Sequence, residues 1–204
     1  MKRGAVSASG AGAWIRYLDR RPIVVAVAGP NGAGKSTFVE AHLKSCGLRF
    51  LDTDALARDL GVDAYEAARM AKTLRIELLS QRESFMFETV FSDPVGDKLG
   101  FLKQAAKSGV ATVLCFVGIA DAGMSEQRVS MRVSQGGHDV PTDKLAARFP
   151  RTLASLAAAI RELPCVLVFD NSDLRTPFRH LATFSNGRRM LSNPPIPSWL
   201  QRLL

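Results

Sequence analysis

The chain has 204 residues, 47% of them hydrophobic, with 27 Lys+Arg against 19 Asp+Glu and a formal net charge of +8. That length and apolar content suit one domain with an ordinary buried core. No apolar run approaches the roughly eighteen residues that a membrane span needs. The segment Met1–Gly12 is small, polar and basic and lacks the apolar centre of a signal peptide, so the expected location is the cytoplasm. Cys46, Cys115 and Cys165 have no metal-ligand spacing, and an odd, scattered set argues against a disulfide framework. The positive charge permits nucleic-acid binding. Its dispersion along the chain, with no aromatic platform or helix-turn-helix pattern, favours the handling of phosphate on a small molecule.

In chain order, residues 1–20 read as a flexible lead-in, 21–186 as the domain and 187–204 as a tail packed against it. Ile23–Ala28 is an apolar strand candidate, and Gly29-Pro30-Asn31-Gly32-Ala33-Gly34-Lys35-Ser36 follows it directly. This is a complete GxxxxGKS loop opening a helix expected over Ser36–Ser45. The glycines let the backbone curl with its N–H groups inward, and the helix adds the positive end of its dipole at the same point. Lys35 is expected to reach the β- and γ-phosphates of ATP. Ser36 is expected to offer its hydroxyl to Mg²⁺, and Thr37 continues the nucleotide-binding run.

Arg49–Asp52, Phe85–Glu88, Val110–Val117 and Cys165–Phe169 are the next strand candidates, alternating with helical patterns over Asp63–Gln81, Asp93–Lys107, Glu126–Gln135 and Lys144–Arg161. Proline removes an interior helical hydrogen bond, so the last of these is expected to break or bend at Pro150. Alternation of this kind predicts an α/β fold, a P-loop NTPase with a mostly parallel sheet of five or more strands. Phe178–Phe184 reads as a short edge strand, Asn186-Gly187 as a turn and Asn193–Pro197 as an extended tail, with Trp199 as a docking residue.

Ligands in such sheets bind beyond the carboxyl ends of the strands. Asp52 and Asp54 close the second strand candidate and, two apart, share a face. One carboxylate suits orientation of Mg²⁺ through water and the other suits acceptance of a proton from an attacking hydroxyl. The competing reading makes Asp54 the N-cap of a helix beginning at Ala55. Glu88 and Thr89 end the third strand candidate and suit contact with an acceptor substrate, or are a solvated strand end. Arg128, Arg132, His138, Arg148 and Arg151 flank Gly136-Gly137. Arg128 and Arg132 are four apart and lie on one helix face, as expected of a lid carrying guanidinium groups or of a solvated basic face. Asp170 ends the last apolar strand and reads as a residue of the nucleotide side or as a structural one.

Gly29–Ser36 with Thr37-Phe38, Leu51-Asp52-Thr53-Asp54, Phe87-Glu88-Thr89, Arg132-Val133 through Gly136-Gly137-His138-Asp139-Val140-Pro141, Arg148–Leu153 and Asp170-Asn171-Ser172 together resemble the zeta-toxin family of P-loop kinases, especially its stand-alone bacterial members. The resemblance spans about residues 22–172. It implies a nucleoside-kinase-like core and, as in the best-studied members, phosphorylation of the 3′-hydroxyl of the sugar in UDP-N-acetylglucosamine. By position it implies that Lys35 binds ATP phosphates, Asp54 is the base, Glu88 and Thr89 engage the acceptor, and Arg132 and Arg148 act on the transferred phosphate. It also implies an antitoxin partner. Where the toxins carry Glu-Gly-Thr, this chain has Glu88-Thr89-Val90. An ATP-hydrolysing switch acting on a partner protein, and a basic nucleic-acid-binding ATPase, are the alternative readings.

Overall fold

A computed structural model of the chain describes residues 12–136 and 140–204. Its centre is β1 (Ile23–Ala28), buried at all six positions. Side chains alternate across a strand, so Val24, Ala26 and Ala28 enter the core on one side of the sheet while Ile23, Val25 and Val27 enter the core on the other. A strand apolar on both faces requires cover on both, which is the setting of a parallel sheet. β1 accordingly pairs in parallel with β3 (Phe85–Thr89) and β4 (Ala111–Gly118). β2 (Arg49–Leu51) adds beside β3, and β5 (Val166–Asp170) beside β4, again in parallel.

Two antiparallel strands complete the sheet, β6 (Arg179–Ser185) and β7 (Arg188–Ser192), giving the order β2-β3-β1-β4-β5-β6-β7. The segment expected as an edge strand is therefore an inner one. Its five central residues are buried, and β7, exposed at every position, takes the edge.

The helices are α1 (Lys35–Phe38), α2 (Thr53–Leu60), α3 (Ala64–Ser80), α4 (Asp97–Lys107), α5 (Ala122–Ser134), α6 (Thr142–Glu162) and α7 (Ser198–Gln201). After α1 the chain widens into a π-turn over Val39–Leu43 and tightens into a 3₁₀ turn over Lys44–Cys46, in place of the plain helix expected. The wider turn puts Phe38 and Leu43, five apart and both fully buried, on one face. α6 passes through Pro150 without interruption. α4 begins at Asp97 rather than at Asp93, whose carboxylate instead accepts from the Asp97 N–H. Leu78 and Leu79 of α3, Leu102 and Ala105 of α4, and Leu156, Ala159 and Ile160 of α6 cover one face of the sheet. Phe38 and Leu43 cover the other, joined by Trp14 and Leu18. Those last two lie within the expected lead-in, yet both are buried, since a large apolar side chain beside an open sheet face gains by covering it. Among the described residues, no helix is long and apolar enough to cross a membrane.

Candidate active site

The site lies beyond the carboxyl ends of β1, β2, β3 and β5. Gly29 leaves β1 with φ 149°, and Gly34 enters α1 in the left-handed region at φ 85°. Between them four successive backbone carbonyls are each held by a side chain. Lys35 Nζ donates to Pro30 O at 3.1 Å and Ser125 Oγ to Asn31 O at 2.7 Å. Arg128 Nη1 donates to Gly32 O at 3.4 Å and Asn171 Nδ2 to Ala33 O at 2.9 Å. Ala33 N–H closes the loop on Pro30 O at 3.2 Å; with the carbonyls occupied by protein, the other peptide N–H groups of the loop can turn to an anion, the arrangement that a phosphate-binding nest requires. Asn31 Oδ1 and Asn171 Oδ1 are buried without a hydrogen-bond partner among the described residues.

Glu88, at the end of β3, is drawn to this loop. It accepts from Ser36 Oγ at 2.9 Å and lies 3.7 Å from Lys35 Nζ. Parallel pairing sets the contact up: Glu88 stands opposite Val27, two residues before the loop begins. Lys35 is only 7% exposed. Burial, above all, holds its ammonium below the ordinary lysine value; Glu88 opposes that shift, Arg132 adds to it and Asp54 opposes it. Desolvation outweighs the carboxylate because the Glu88 contact is long and the Pro30 carbonyl that also accepts from the ammonium is neutral. The ammonium is thus short of negative charge, which triphosphate oxygens would supply.

Of the carboxylates that follow β2, Asp52 is the N-cap of α2, its Oδ1 accepting from Asp54 N at 2.9 Å and Ala55 N at 3.1 Å. That corrects the reading of Asp54 as the cap. Asp54 sits in the first turn of α2, exposed, with its side chain outside the capping bond and its charge felt at Lys35. Thr89 Oγ1 is engaged locally, accepting from Phe91 N at 3.1 Å, where Phe91 is buried at φ 63°.

The arginines divide. Arg128 backs the loop, its second nitrogen donating to Ser172 O at 3.4 Å. Arg132, one turn later and exposed, acts on Lys35. Arg148 is half-buried and Arg151 exposed on α6, and neither is among the charges that act on Lys35. His138 lies outside the described residues. Asp170 is 8% exposed and structural, accepting from Ser172 Oγ at 2.6 Å and Trp199 Nε1 at 3.0 Å. Sequence reasoning missed Ser125 and Asn171 as supports of the loop. The signal for Asn171 was a polar residue following an apolar strand on the same sheet edge as the loop.

Ser36 Oγ and Glu88 Oε2 form a hard-oxygen pair of the kind Mg²⁺ takes together with phosphate oxygens and water. Among the described residues, no group of three or more His, Cys, Asp or Glu gathers to hold a metal by itself. The residues present fit a cation that arrives with a nucleotide.

A family model described as an AAA domain matches residues 24–158. A 41-residue stretch is 54% identical to the bifunctional pantoate ligase/cytidylate kinase of Thermosynechococcus vestitus, covering 20% of this chain and 8% of that protein. Among solved structures, the AvrRxo1-ORF1:-ORF2 complex with ATP superposes with a TM-score of 0.66 at 14% identity, over 87% of this chain and 62% of that one. The PezAT chromosomal toxin–antitoxin system of Streptococcus pneumoniae gives 0.55 at 14% identity, over 74% and 69%. The Pnkp1/Rnl/Hen1 RNA repair complex gives 0.52 at 14%, over 88% and 53%. The chain thus spans under two thirds of the first of these structures. At such identities the likeness is one of fold, the P-loop kinase fold.

Proposed function

The chain belongs to the AAA domain family, and from that premise we propose that it is an ATP- and Mg²⁺-dependent phosphotransferase acting on a hydroxyl of a small acceptor. The observation that carries the reading is the convergence at Lys35. Glu88 from β3 contacts both Lys35 and Ser36, while the charges of Asp54 from α2 and Arg132 from α5 reach the same ammonium. A loop that only binds nucleotide needs neither an exposed carboxylate nor a guanidinium within electrostatic reach of its lysine. A kinase needs both, as base and as stabiliser of the transferring phosphoryl group.

In this reading Lys35 and the loop N–H groups hold the β- and γ-phosphates. Bound Mg²⁺ would neutralise charge on the phosphate oxygens, held by Ser36 with Glu88 on its water shell. This moves Glu88 from the acceptor to the phosphate side. Asp54 draws the proton from the acceptor hydroxyl, and Arg132, with Arg148 as a second lid arginine, steadies the phosphoryl group. UDP-N-acetylglucosamine is the leading acceptor on the zeta-toxin resemblance. The toxin–antitoxin pairing of the PezAT neighbour supports an antitoxin as partner.

The test is incubation with ATP, Mg²⁺ and a panel of sugar nucleotides, with phosphorylated products read by mass. Asp54→Asn should bind ATP as the parent does and lose transfer by about 10²–10⁴-fold, the usual worth of a general base. Lys35→Ala should lose both. Full turnover by the Asp54→Asn protein would remove Asp54 from the mechanism. Free phosphate released with no phosphorylated acceptor would favour the switch reading instead.

A further inference from the structure

The three residues after Phe169 join distant parts of the chain. Asp170 Oδ1 accepts from Trp199 Nε1 at 3.0 Å and from Ser172 Oγ at 2.6 Å. Between them, Asn171 donates its backbone N–H to Gly118 O and its side-chain Nδ2 to Ala33 O, both at 2.9 Å. Ser172 O receives Arg128, whose other nitrogen holds Gly32 O. Trp199, Asp170 and Asn171 are all under a tenth exposed.

The seat of Trp199 is cut to its shape. A Cβ on Gly118 would lie 2.3 Å from the indole ring, so β4 ends in the one residue type that admits it. Asn171 also meets the loop closely, since a Cβ on Gly34 would lie 2.8 Å from its Nδ2. Asp170 faces two neutral donors and, among the described residues, no ion pair. A buried carboxylate depends on every donor it has, because an unmet one costs its desolvation in full. Losing the indole N–H would leave Asp170 to seek water or another donor, turning the segment that carries Asn171.

We infer that Trp199 is a positioning residue for the phosphate loop: through Asp170 it fixes Asn171, and through Asn171 it fixes the Ala33 carbonyl and, in the same planar peptide, the direction of the Gly34 N–H. The C-terminal helix α7 is then part of the nucleotide-binding apparatus without touching the nucleotide. This rests on the loop being an ATP site, as proposed above.

The test is direct ATP binding, by calorimetry, to the full chain and to Trp199→Phe, which keeps an aromatic side chain in the seat and removes the N–H together with the part of the ring against Gly118. The expected result is a fall in ATP affinity of about tenfold, the worth of one to two lost hydrogen bonds, with far-UV circular dichroism unchanged. Asn171→Ala should show a similar loss. The double variant should bind no more weakly than Asn171→Ala alone, because the two changes break one chain. Ser172→Ala, which removes the other donor to Asp170 and leaves the indole seat intact, should also weaken ATP, and it serves if Trp199→Phe fails to fold. ATP binding by Trp199→Phe equal to the parent's, or strictly additive losses in the double variant, would overturn the inference. A parent chain that binds no ATP would sink the kinase reading itself, a distinct outcome.

Discussion

On the phosphate side of the cleft, the carbonyls of Pro30, Asn31, Gly32 and Ala33 are each tied to a side chain, from α1, α5 or the end of β5. On the opposite side, α2 buries none of its residues, Asp52 and Asp54 are exposed, and α3 shows Tyr65, Met70 and Ile76 to solvent. On the phosphotransferase proposed above, the difference follows from what each side would do. Phosphate is recognised by backbone N–H groups, whose directions only a fixed loop can hold. A surface that receives an acceptor and then releases it gains from being lightly anchored.

The contrast is sharpest in two glycines. Gly29 has φ 149°, and a Cβ there would lie 2.1 Å from the carbonyl oxygen of Val117, a backbone atom of β4 that cannot step aside. Gly29→Ala should therefore cost about 4 kcal/mol or more, the range reached only by severe overpacking and strain. Urea unfolding of the purified variant checks this, and a midpoint near the parent's would show the loop to be far softer than its contacts suggest.

A second, smaller effect concerns the charge at Lys35. Its folded-state pKa lies below 10.5, chiefly through burial, and bound triphosphate should raise it again by supplying negative charge. Between those two values ATP binding takes up a proton, so affinity falls as pH rises, by up to about tenfold per pH unit. The decline should begin below the pH at which an ordinary lysine titrates. Lys35→Arg, with a guanidinium that stays charged, should flatten that alkaline limb whatever its affinity at neutral pH. An unchanged limb in the arginine variant would mean that another group titrates.

How far the sequence reveals this division depends on the range of the interactions. β1 and its loop are legible because the signal is local: a continuous apolar run followed at once by glycines at fixed spacing. The supports of the loop are not. Ser125, Arg128 and Asn171 lie 94, 96 and 138 residues from the carbonyls they hold, and no periodicity reports such a pairing. Arg128 and Arg132 share a helix face, as their spacing predicts. One turn of about 5.4 Å nonetheless sends one to the back of the loop and leaves the other near Lys35. Asp52 and Asp54 are both good caps, and choosing between them requires the first residue of α2, which ends of helices rarely disclose. β7 gives no signal because a strand exposed at every residue carries no apolar alternation. Without it, β6 reads as an edge.

The smallest effect expected is at Gly61, which closes α2 at φ 63° and would set an added Cβ in open space, with nothing within 4 Å. Alanine there meets only the intrinsic strain of the left-handed region, about 1–2 kcal/mol, against the steric block at Gly29. Because α2 contributes no side chain to the loop's carbonyl contacts, Gly61→Ala should bind ATP with the parent's affinity while unfolding at slightly lower urea. If it also lowers ATP affinity, the two sides of the cleft are mechanically joined. Asp54, carried on α2, would then be held by the same framework that holds the loop. Unchanged ATP affinity together with a raised acceptor KM would instead place the looseness of α2 in the acceptor step alone.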